Sequence, residues 1–147
     1  MKPPVWRLLA IGLAAMSLLH PRDARSEPVR VAVEAPAHIA LVRSPEATRR
    51  PQGAERVVLT VSGYEPSSAG PVQIVVSVGC GSTERLIGSF AVLPATGFTA
   101  DDKQRRQNFA LALPAECGRA DRLTVRLVPS RGDGSGAHAD IAVSTIE

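Results

Sequence analysis

The chain has 147 residues, room for one domain and not comfortably two. Its 44% hydrophobic and 21% charged content is that of a folded globular protein and excludes disorder, while 3% aromatics is too little for ring-lined platforms that stack single-stranded nucleic acid. The net charge of +3 is a local effect: four of the 17 basic and one of the 14 acidic side chains fall within Met1–Ser26, so the remainder is neutral. It carries no basic tract beyond Arg49-Arg50 and Arg105-Arg106, which read as solvated loop charges, and nucleic acid is not an expected partner.

The first element is a targeting segment. Lys2 and Arg7 precede an uncharged run, Leu8 to Leu19, which is too short for a bilayer span of roughly 20 residues and suits the apolar stretch of a signal peptide. Ala24-Arg25-Ser26 supplies small residues at cleavage-site spacing, so residues 1–26 read as a leader and 27–147 as one exported domain, periplasmic or secreted, with an uncleaved anchor as the rival reading. No membrane association is expected once the leader is removed.

The rest of the chain alternates with period two. Val29–Val33 and His38–Val42 are the weaker strand candidates. Val57, Leu59 and Val61 form a stronger series, as do Val72, Ile74, Val76 and Val78. Leu86–Leu93 is more continuously apolar and contains Gly88, which predicts a central strand with a close backbone approach. Phe109, Leu111 and Leu113, then Leu123, Val125 and Leu127, then Ile141 and Val143 complete the series. Turn-formers separate these runs at Pro45–Gly53, Glu65–Pro71, Gly79–Thr83, Pro114–Asp121 and Pro129–Gly136, and Ala100–Asn108 reads as a loop. Seven or eight short strands imply an all-β antiparallel sandwich or barrel-like sandwich.

Cys80 and Cys117 are the only cysteines, an even count in an oxidising compartment, and a disulfide is the first reading. Antiparallel neighbours would bring both sulfurs to one rim of the sheet, closing a loop of about 37 residues worth roughly 3–4 kcal/mol. A soft copper site built from the two thiolates is the alternative, although no Met or His adjoins either cysteine.

Catalytic chemistry is sparse. His38 and His138 are the only histidines after the leader, too few for a His-based zinc or dicopper centre. Gly79-Cys80-Gly81 opens no helix and is not a phosphate loop. His138 follows a Gly/Ser-rich turn with no nucleophile elbow nearby, and Asp101-Asp102 reads as solvated charge. The domain is therefore expected to be non-enzymatic and to need no cofactor.

Four segments carry a resemblance. Val57-Val58-Leu59-Thr60-Val61-Ser62-Gly63 is followed in order by Ile87-Gly88-Ser89-Phe90-Ala91-Val92-Leu93-Pro94, by Leu123-Thr124-Val125-Arg126-Leu127-Val128-Pro129, and by Ile141-Ala142-Val143-Ser144-Thr145-Ile146-Glu147. Their order and spacing, over residues 39–147, resemble the C-terminal domain of polyphenol oxidases and tyrosinases, usually named for a Lys-Phe-Asp-Val tetrapeptide. This chain departs from the pattern: the tetrapeptide position reads Gln73-Ile74-Val75-Val76, the usual Val-Pro-His reads Leu93-Pro94-Ala95, and no dicopper oxidase domain precedes the module.

The resemblance implies a β-sandwich that covers a copper-site entrance and has no catalytic residues of its own. Here that means a detached, exported cover, with a separately encoded tyrosinase-like copper oxidase as its partner. Such a cover needs an apolar residue on a loop. Phe98, between Gly97 and Thr99, is the first candidate for partner binding, its other reading being a ring folded back onto the core, and Tyr64 is the second, its other reading being a strand-end residue with its hydroxyl in water. A binding module for another ligand or surface, and a small copper carrier using the two cysteines, are the alternatives.

Overall fold

A computed structural model describes residues 26–41, 55–93, 95–117 and 120–146. The expected leader falls on residues 1–25, outside the described residues but for Ser26, and the Pro45–Gly53 stretch also lies outside them. Eight strands run in order: β1 (Val29–Ala32), β2 (Ala37–Ala40), β3 (Arg56–Glu65), β4 (Val72–Cys80), β5 (Thr83–Phe90), β6 (Gln107–Ala112), β7 (Arg122–Pro129) and β8 (His138–Ile146). They form two four-stranded antiparallel sheets, ordered β1-β8-β3-β6 and β2-β7-β4-β5. The all-β sandwich expected from the alternation is what the chain adopts, and both weaker strand candidates are strands, within a residue or two of the expected bounds.

The period of two chooses the faces. Val57, Leu59 and Val61 of β3 are fully buried, as are Val76 and Val78 of β4, Leu123 and Val125 of β7, and Ile141 of β8. These inward sets meet between the sheets, each large side chain contributing about 1.5–3 kcal/mol by leaving water. Their alternates Gln73, Arg122 and Arg126 stay exposed. Only β4 and β5, joined by a tight turn with Gly81 at positive φ, are consecutive strands paired in one sheet; every other connection crosses between the sheets.

Two expectations are corrected. Leu86–Leu93 does not form a central strand: β5 is the edge of its sheet, and Leu86 and Leu93 remain 60% and 70% exposed. Its apolar run arises because Ile87 and Phe90 pack on the core while Leu86 sits on the solvent side of a register shift between Val76 and Ser77. Gly88 does mark a close approach, but to a side chain of the other sheet. A Cβ there would lie 2.6 Å from Cδ2 of Leu111 on β6. Beside it, Phe90 and Phe109 stack across the gap with ring centroids 3.8 Å apart. The edge strands β5 and β6 thus close one side of the sandwich.

The second correction concerns residues 100–108, expected as a loop. A short 3-10 turn, Lys103–Arg105, leads there directly into β6 at Gln107.

Candidate functional site

Cys80 ends β4, and Cys117 ends a 3-10 turn, Ala115–Cys117, that carries the chain from β6 to β7. Their Cα atoms are 4.4 Å apart and the sulfurs are bonded. The rim placement expected from the sequence holds. However, β6 lies in the opposite sheet from β4, so the bond staples one sheet to the crossover leaving the other. Arg85 and Glu116 form an ion pair on the surface nearby. With both sulfurs joined, no thiolate is left to hold copper. Among the described residues, no group of three or more His, Cys, Asp or Glu side chains is arranged around a common metal position.

Phe98 is not an exposed plug. It is 7% exposed and belongs to the core. Its backbone makes an isolated antiparallel bridge to Tyr64: each N–H donates to the other's carbonyl at 2.8 Å. That bridge turns the ring inward, where it meets the Tyr64 ring at a centroid distance of 6.4 Å. Arg105 closes the arrangement from outside. Its guanidinium donates to the carbonyls of Gly97 (2.8 Å) and Thr96 (2.9 Å) and lies 5.2 Å from the Phe98 ring centre. Tyr64 is also corrected. It is 6% exposed rather than in water, and burial pushes its phenol pKa above the usual value.

The residue that does project from this end of the sandwich is Leu93. The Gln107 side chain pairs with its backbone as a strand would: the Leu93 N–H donates to Oε1 at 3.2 Å, and Nε2 donates to the Leu93 carbonyl. The backbone is thereby fixed while the side chain stays in water. It is itself part of the wall of a largely apolar groove of about 420 Å3, shared with Tyr64, Pro66, Pro71, Val92 and Ala95 and with Ser67 and Ser68. Sequence reasoning passed over Leu93 because it completes an apolar run.

On the outer face of the β2-β7-β4-β5 sheet, a polar row runs from β2 to β5. His38 Nδ1 and Thr124 Oγ1 are hydrogen-bonded at 3.1 Å, and Arg126 donates to Glu84 at 2.8 Å. Hydrogen bonds from Thr124 and Arg126 hold the Glu84 carboxyl at a pKa of about 2. His138 opens β8 and pairs there with Glu65 of β3. Asp102 sits 3.8 Å from Arg105 at the surface. The sequence matches no protein-family model and no curated protein.

Proposed function

We propose that this chain is an exported, non-enzymatic β-sandwich that docks on a protein partner and covers a site on it. The class of partner, a tyrosinase-like copper oxidase, follows from the four-segment resemblance alone. Leu93 carries the docking reading. It is a large apolar side chain, 70% exposed, on a backbone held by Gln107 and on the wall of a largely apolar groove. An anchor of that kind adds binding energy with little ordering cost, because its backbone is already in place. The stapled rim supports the same reading, since a disulfide persists in oxidising compartments. Leu93 therefore takes the role that the sequence assigned to Phe98.

The test mixes the oxidised protein with a tyrosinase-like copper oxidase and measures both binding and diphenol oxidation. Binding with loss of oxidation is expected, and Leu93→Asp should weaken binding by about 2 kcal/mol or more, the range of an interface anchor. Absence of binding, or binding indifferent to Leu93→Asp, would sink the proposal.

A further inference from the structure

The edge of a sheet offers unpaired main-chain groups to any strand that comes alongside, and folded proteins blunt such edges with charge, proline, bulges or shortness. Three of the four edges among the described strands are blunted. The strands β1 and β2 have four residues each, and reciprocal hydrogen bonds between Ala32 and Ala35 fold the turn that joins them. The strand β5 carries Glu84 and Arg85 and a register shift against β4. The fourth edge is left open. Gln107–Ala112 of β6 has six residues, without charge, proline or glycine, in unbroken register with β3.

The ladder shows which groups are free. The Leu113 N–H donates to the Glu55 carbonyl at 2.8 Å, and alternation along an antiparallel pair then makes Leu111, Phe109 and Gln107 the residues of β6 bonded to β3. The N–H and C=O groups of Asn108, Ala110 and Ala112 therefore point away from β3. All three residues are exposed, and none of these main-chain groups is hydrogen-bonded among the described residues. With Ala110 at its centre, this edge is complementary to itself. Two antiparallel β6 strands about a two-fold axis at Ala110 place Asn108 opposite Ala112 and use every free group, each residue donating one hydrogen bond and accepting one. The same register sets Phe109 opposite Leu111 on the core side and only asparagine and alanine on the outer side, so no like charges are opposed. Among the described edges only β6 offers β6 such a match, since β1 and β2 are too short and β5 is charged and bulged. The geometry points to a homodimer in which β6 pairs with β6 of a second copy, joining two four-stranded β1-β8-β3-β6 sheets into one continuous sheet.

This inference does not rest on the cover reading, because it uses the β6 edge and leaves the groove to its partner. Sedimentation velocity on the oxidised protein, from about 1 to about 300 µM, brackets the affinity of a small interface, and a monomer–dimer equilibrium is expected. Residue-resolved amide exchange over the same range reads the seam. Exchange should slow with concentration at Asn108, Ala110 and Ala112 and stay constant at Gln107, Phe109 and Leu111, which β3 already protects. Ala110→Lys opposes two lysines at the axis and should shift the equilibrium at least tenfold toward monomer, with an unchanged circular dichroism melt. Should that variant fail to fold, the exchange pattern of the unaltered protein decides. A monomer at every concentration, a dimer that survives Ala110→Lys, or a dimer whose three edge amides stay fast overturns the inference. Protection of those amides in a monomer only on adding the copper oxidase assigns the edge to a foreign strand and also overturns it. A dimer of the expected pattern that ignores the oxidase removes the cover proposal only.

Discussion

Phe98 shows how one backbone bridge decides the role of a side chain. Its neighbours in sequence, Gly97 and Thr99, are those of an exposed loop, and only the pairing with Tyr64, 34 positions earlier, turns the ring inward. No local pattern encodes that partner, which is why the sequence left Phe98 open between a surface plug and a ring folded onto the core. Phe98→Ala should therefore cost about 3–5 kcal/mol, the usual range for emptying an aromatic site in a core, read as a lower urea midpoint at constant slope. A variant as stable as the parent would show that the ring is not core. Glu84 makes a second prediction at this scale. Its carboxyl is held at about 2 against an ordinary 4.5, so it stabilises the fold above pH 4.5, and that contribution drains away as pH falls toward 2. Glu84→Gln should lower the urea midpoint at pH 6, with the difference from the parent vanishing near pH 2. A difference independent of pH would contradict this titration.

At the level of strands, the alternation of apolar residues reports which face is buried and nothing about which strand lies alongside. The inward sets of β3, β4, β7 and β8 were legible for that reason. The edge position of β5 was not, since an edge strand can bury one face as fully as a central one. Gly88 was legible as a close approach, but its partner, Leu111 on the opposite sheet, depends on how the sheets stack. Gly88→Val would push a branched side chain into Leu111 and pry β5 from β6. The expected cost is about 1–3 kcal/mol, the range for overpacking a well-filled core, measured by thermal or urea unfolding. Hydrogen exchange should accelerate first in β5 and β6; acceleration confined to β3 and β8 would place the strain elsewhere. The candidate site was less legible than the fold. Leu93 owes its exposure to Gln107, 14 residues away, a clamp that no periodicity announces.

Across the whole molecule, the Cys80–Cys117 bond and the groove occupy opposite ends of the sandwich, since Cys80 ends β4 and Val72, which lines the groove, begins it. Replacing both cysteines by serine should lower stability by about 2–5 kcal/mol, the usual loss for a native disulfide in a small exported domain, while leaving Leu93-dependent association intact in the fraction that stays folded. Equal alkylation of both sulfurs in unfolded, unreduced protein would contradict the bond. The order of the strands also sets a schedule. Of the six strand pairings among the described residues, only β4–β5 joins neighbours in sequence, and β8, which follows all the other described strands, lies between β1 and β3. A nascent chain emerging N-terminus first can form one hairpin but cannot complete the β1-β8-β3-β6 sheet until β8 itself has emerged. Such non-local topologies collapse late. Until then the polypeptide remains a pliable thread, the state in which a chain can be drawn through a narrow pore.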